Sequence, residues 1–174
     1  MPVSRFPVHV LMRRTPLANR WTSESWAPAA IEIAGAPGDD VSVERQPPVR
    51  VDDGPAGTWW RFAGFALELH RSELEGYYLN VREPSPQVFV MWRRDEATTP
   101  PATPHLVTVS YNEAARMLDG GELVDAVPMA PEILAWVAPY VEANYQPEQR
   151  KKVKRNDPFA DGAFVRDRVS REPK

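Results

Sequence analysis

The sequence predicts an α+β domain: a curved antiparallel sheet or partly open barrel, closed by two C-terminal helices and followed by an extended basic tail. Three observations carry this. Apolar residues alternate with period two through much of the chain before residue 110, and helical spacing begins only after it. Between residues 150 and 174, nine bases then stand against four acids. A chain of 174 residues suits one domain with its own core, so the boundaries read as 1–146 for the domain and 147–174 for the tail.

Over 7–14, Val8, Val10 and Met12 alternate with His9, Leu11 and Arg13, a short strand with two partly apolar faces. Pro16 and Asn19 mark a turn, and a second strand is expected over 26–33. Residues 35–57 contain Pro37, Gly38, Pro47, Pro48, Gly54 and Pro55, which predicts a long surface excursion with at most one short strand at 49–51. The clearest β signal covers 58–62 and 64–71, where Phe65, Leu67 and Leu69 alternate with Ala66, Glu68 and His70. Tyr77, Leu79 and Val81 repeat the alternation over 77–82, so the two runs read as a hairpin. The run 87–94 is apolar on both faces, which places it centrally in the sheet, and a further strand follows at 105–110.

Ser110 and Glu113 have capping-box spacing, and Gly120-Gly121 stop the helix they start. Pro131 suits a first helical position, and Ile133, Trp136, Val137, Tyr140 and Val141 follow the 3.6-residue period. Pro139 falls inside that pattern and has no N–H to give, which predicts a kink or an early end near Ala138.

The chemistry is bounded mainly by what is missing. With no cysteine there is no disulfide, thiolate metal site or cysteine nucleophile in this chain. Phosphate-loop, dinucleotide and His-Glu-x-x-His patterns are absent, and Ser72, Ser85 and Ser110 lie in no recognisable nucleophile context. Glu68 and His70 share a strand face by their spacing of two, an acid–base pair or metal corner in one reading and an exposed polar face in the other. Glu68, Glu73 and Glu75 gather near the expected hairpin tip, where solvated turn acids are the simpler account. The first residues lack an apolar signal stretch and no segment approaches about 20 apolar residues, so a soluble cytoplasmic protein with no membrane contact is expected.

Charge and aromatics point to a macromolecular partner. The net charge of −3 divides into an acidic body and a basic tail, with no aromatics interleaved in the run 150–155 to stack bases, so nucleic acid is an unfavoured partner. Trp21, Trp26, Trp59 and Trp60 lie in or beside expected loops, close in sequence to Arg13, Arg14, Arg20 and Arg61. Tryptophan and arginine dominate protein–protein hot spots. In the tail, Phe159 and Phe164 have the form of docking anchors, with packing back on their own domain as the alternative. The candidate partner-binding residues are therefore Arg13, Arg14, Arg20, Trp21, Trp26, Trp59, Trp60, Phe159 and Phe164.

Several segments carry a resemblance. Arg13-Arg14-Thr15-Pro16-Leu17-Ala18-Asn19-Arg20-Trp21 followed by Trp26, the stretch 68–80, Val88-Phe89-Val90-Met91-Trp92-Arg93, the stretch 107–116 and Val124-Asp125-Ala126-Val127-Pro128-Met129 resemble the bacterial domain-of-unknown-function family numbered 3305. The resemblance covers most of the body, from about Val8 to Tyr145. It implies a setting, because members are encoded beside molybdenum- or tungsten-dependent formate dehydrogenases and their maturation factors. It supplies no catalytic residues to carry over. The expectation is a non-catalytic small subunit or accessory protein of such a dehydrogenase, with the molybdenum or tungsten pterin cofactor and iron–sulfur clusters belonging to the partner and none to this chain. The alternatives are a maturation chaperone for that enzyme, or a small-molecule barrel using Glu68 and His70.

Overall fold

The computed structural model describes residues 4–38 and 44–147. Seven strands and three helices follow in the order β1 (Ser4–Pro16), β2 (Glu24–Ile33), β3 (Val49–Gly54), β4 (Gly57–Leu69), α1 (Leu74–Val81), β5 (Gln87–Arg94), β6 (Ala102–Thr108), α2 (Tyr111–Asp119), β7 (Leu123–Pro128) and α3 (Pro131–Asn144). The fold is α+β as expected, and its strands divide between two antiparallel sheets, β2-β1-β4-β3 and β6-β5-β7. The tail 148–174, with Phe159 and Phe164, lies outside the described residues.

Alternation explains the larger sheet. Phe6, Val8, Val10 and Met12 of β1 and Phe62, Phe65, Leu67 and Leu69 of β4 are buried on one face. The step from Phe62 to Phe65 breaks period two, and the structure shows why: Val8 pairs with Phe65 and Val10 with Phe62, so Ala63 and Gly64 together face His9. This β-bulge re-phases the strand so that both halves bury their aromatic rings. Gly64 sits there at φ +85°, and a Cβ would lie 2.4 Å from the Glu44 carbonyl oxygen, so only glycine fits. The two β signals over 58–62 and 64–71 are thus one strand.

In the smaller sheet β5 is the central strand, as its two apolar faces predict. Its Val88, Val90 and Trp92 join the β1/β4 face in one core, which Ile133, Val137 and Val141 of α3 close. β7 has no strand signature of its own: Val127 is its only buried residue, and pairing with β5 is what makes it a strand.

The hairpin expected over 77–82 does not form; residues 74–81 make α1. Tyr77, Leu79 and Val81 match period two by coincidence. The buried positions are Gly76, Tyr77 and Asn80, with Leu74, Tyr78 and Val81 packed at the core's edge, which is helical spacing. Gly76 lets the helix lie directly on the start of α2, where a Cβ would come within 2.2 Å of Ser110 Oγ. Asn80, 1% exposed, ties the start of β5 to the end of β6: its Nδ2 donates to the carbonyls of Gln87 (2.7 Å) and Val109 (2.8 Å), and its Oδ1 accepts from Gln87 N–H (2.9 Å).

Half of the capping box at Ser110 is present. Ser110 Oγ accepts from Glu113 N–H at 3.0 Å, while Ser110 N–H donates to Thr108 Oγ1. The early end expected near Ala138 also fails, since α3 continues through Pro139 to Asn144. Pro139 and Ala135, whose carbonyl a proline four residues on cannot pair, are both exposed, so that carbonyl is open to solvent and the missing hydrogen bond costs little. Buried Val141 and the Tyr77–Tyr140 ring contact hold the last turns down. Substituting Pro139→Ala is expected to stabilise the protein by about 1–2 kcal/mol, the helix penalty of proline less its benefit in the unfolded chain. Chemical denaturation of the two proteins measures this directly.

Candidate functional site

The antiparallel order of the larger sheet brings the β1–β2 loop and the β3–β4 turn to the same end. There Arg13 is registered with Trp59 and Arg14 with Thr58, one step from the Gly54–Gly57 turn. The loop of residues 17–23 is a built structure: Leu17 N–H donates to the Ser23 carbonyl at 2.9 Å, Trp21 N–H to Asn19 Oδ1 at 2.9 Å, and Thr22 Oγ1 to the Glu24 carbonyl at 3.0 Å. These bonds present Trp21 with 84% of its surface exposed, and the Arg20 guanidinium lies 5.4 Å from its ring. Alongside, Arg13 sits 5.6 Å from the half-buried Trp59 ring. Leu17, 37% exposed in the same loop, belongs to this apolar surface although its sequence context offered no signal for it.

The other residues expected here are buried or tied up in ion pairs. Trp26 is 7% exposed, packs in the core and donates from Nε1 to Glu24 Oε1 at 2.9 Å, so it offers a partner almost no surface. Arg14 pairs with the same carboxylate, and these two hydrogen bonds, Trp26 first, hold the Glu24 pKa below its ordinary value. Trp59 and Trp60 are adjacent and therefore face opposite ways, with Trp60 registered against buried Met12 and packed on the core. Arg61 is committed to Glu32, Nε to Oε2 at 2.6 Å. The exposed group at the sheet end is thus Arg13, Arg20, Trp21, Leu17 and one face of Trp59.

A second locus is a cleft of about 290 Å³ between β4 and β6, lined by Glu68, His70, Arg45, His105 and Glu113 among others. Glu68 and His70 do converge, with Nε2 to Oε2 at 3.3 Å, but their side chains are 35% and 47% exposed and Glu68 is also held by Arg5 at 2.8 Å. Among the described residues no group of three or more histidines, aspartates or glutamates is arranged to hold a metal. The neighbouring carboxylates have structural duties: Glu73 accepts from Ser110 Oγ (2.6 Å) and Arg116, and Glu75 accepts from Asn112, fastening α1 to α2. Burial first, then Arg93 and Arg45, lowers the pKa of His105, so its ring is neutral at pH 7.

Tyr77 is buried behind the Glu68–His70 backbone. Its hydroxyl accepts from His70 N–H at 3.0 Å and donates to the Glu68 carbonyl at 3.3 Å. Burial pushes its pKa up from 10.0 to about 12. The unfolded chain releases this proton near pH 10 and the folded chain holds it to about pH 12, so stability falls with rising pH across that window. In Tyr77→Phe that slope is expected to flatten relative to the parent, as read from melting temperatures at closely spaced pH values.

A family described as "Protein of unknown function (DUF3305)" matches the sequence over residues 7–154, which includes nearly every element above. The chain belongs to this family. Comparison with curated proteins returns no match, and neither does comparison with solved structures. The DUF3305 match runs from β1 through α3, so the sheet end with Trp21 and the β4–β6 cleft both lie within the family's domain. No helix among the described residues of this DUF3305 chain is long and apolar enough to cross a membrane.

Proposed function

We propose that this protein is a non-catalytic accessory component of a molybdenum- or tungsten-dependent formate dehydrogenase, docking on the catalytic subunit through the sheet end that carries Trp21. The observation that supports docking is Trp21 itself, 84% exposed on a loop whose internal hydrogen bonds hold it out from the domain beside Arg20. A rigid aromatic anchor with an arginine neighbour spends little conformational entropy on binding, which is why such pairs concentrate interface energy. The identity of the partner rests on the family resemblance, whose members are encoded beside these dehydrogenases. In this reading the pterin cofactor and iron–sulfur clusters are the partner's, and the chain acts in the cytoplasm, where that subunit is assembled.

Affinity purification of the tagged full chain from its native host tests the reading. Co-purification of the formate dehydrogenase catalytic subunit is expected, and its absence from both cofactor-replete and cofactor-free cells would sink the proposal. Recovery from cofactor-free cells alone, with unmetallated enzyme in a deletion strain, would assign the same surface to a maturation chaperone.

A further inference from the structure

A second cavity, of about 500 Å³, opens beside the β4–β6 cleft, beneath the segment 44–48. Phe62 and Phe65 of β4 form its floor, and Pro48, Pro100 and Pro104 its rim. The volume is that of small-ligand pockets, and the phenylalanines and prolines give it an apolar body edged by Gln46, three threonines and His105, with Arg45 as the one fixed charge. Arg45, Phe65 and His105 border both this chamber and the polar cleft, so the guanidinium stands at the junction of an apolar space and a polar one.

Arg45 is held in place there. Its guanidinium carbon lies 3.6 Å from the Phe65 ring centroid, Nη2 donates to the His105 carbonyl at 2.7 Å and Nη1 to the Pro104 carbonyl at 3.3 Å. A ring face and two carbonyls are neutral partners. Among the described residues no carboxylate forms an ion pair with Arg45, in contrast to Arg5, Arg14, Arg61, Arg93, Arg94 and Arg116. The side chain stays open to solvent at the mouth, and partial burial of the guanidinium lowers its pKa. A guanidinium has five N–H donors in a fixed plane, and the two carbonyls leave donors for an anionic head group. On the cleft side Glu68 is already paired with Arg5, while Glu113 bounds the space open to an anion.

We infer that the chamber binds a small amphipathic anion, with an aromatic or branched apolar body between Phe62, Phe65 and the prolines and its carboxylate or sulfonate head on Arg45. The site is separate from the Trp21 end, so it stands or falls independently of the docking reading.

Fluorescence titration of the full chain with anilinonaphthalene sulfonate, an apolar anion, and N-phenylnaphthylamine, its uncharged counterpart, tests this. Both are expected to saturate at one site, the anion about tenfold more tightly, because a charge-assisted hydrogen bond adds to the shared apolar burial. Arg45→Gln is expected to weaken the anion about tenfold while leaving the neutral probe nearly unchanged. Thr103→Trp, which fills the chamber from β6, is expected to exclude both while the melting transition stays cooperative. Absence of saturable binding, equal affinity for the two probes, an Arg45→Gln protein that binds the anion as before or loses both probes, or Thr103→Trp binding undiminished would each overturn the inference.

Discussion

Replacing Asn80 with leucine is expected to destabilise the protein by about 3–4 kcal/mol, because three backbone groups lose at once the buried amide that pairs with them. The side chain is 1% exposed and its three hydrogen bonds are 2.7–2.9 Å long. Leucine keeps the branched skeleton and leaves no cavity, so the loss reflects hydrogen bonding, desolvation and the bulk of two methyl groups where the amide sat. The Gln87 amide and the Gln87 and Val109 carbonyls lie where β5 begins and β6 ends, so the damage should spread from α1 to the smaller sheet. Urea titration should show the midpoint falling with an unchanged slope, and the melting temperature should drop by roughly 10 °C for a domain of this size. A loss under about 1 kcal/mol would mean that water replaces the amide, contrary to the packing.

Trp21→Ala should do the reverse, leaving stability within about 0.5 kcal/mol and weakening capture of the dehydrogenase subunit about tenfold or more. The side chain is 84% exposed, and the bonds that shape its loop come from the Trp21, Leu17 and Thr22 groups that the substitution keeps. Arg20→Ala should weaken capture by a smaller factor, since its guanidinium flanks the ring at 5.4 Å and stays exposed to screening salt. Trp26 is unsuitable for the same comparison: it lies in the core, and its loss would unfold as well as uncouple. Unaltered capture by Trp21→Ala, measured on the purified subunit, would remove this end of the sheet from the interface.

Much of the fold was legible because burial on one face imposes a period that the sequence must carry. β1, β2, β4, β5 and α2 announce themselves by alternation or by capping chemistry. The short α1 imitates a strand because an eight-residue helix has too few turns to separate period two from 3.6: Tyr77 and Val81 fall on both, and exposed Leu79 completes the alternation by chance. β7 was missed because an edge strand with a single buried residue carries almost no pattern. Pro139 does not end α3 because proline's cost is local, while the helix is held by Ile133, Val137 and Val141 along its whole length.

The candidate site divides along the same line. Residue types close in sequence identified Arg13, Arg20, Trp21 and Trp59, and the strand register then gathered them at one end of the sheet. The register also removed Trp26 and Trp60, because adjacent residues on a strand face opposite ways and only the fold decides which face is the core. Arg45 shows the limit most clearly. In the sequence it is one arginine in a proline-rich excursion; against Phe65 and the β6 carbonyls it is a cation fixed by neutral partners at the mouth of an apolar chamber. By itself the sequence determined the α+β class, the antiparallel strands, the family and the chemistry that a cysteine-free chain lacks. The division into two sheets, the inward and outward tryptophans and both cavities were decided by tertiary structure, since each depends on contacts between residues far apart in the chain, where local period and propensity carry no information.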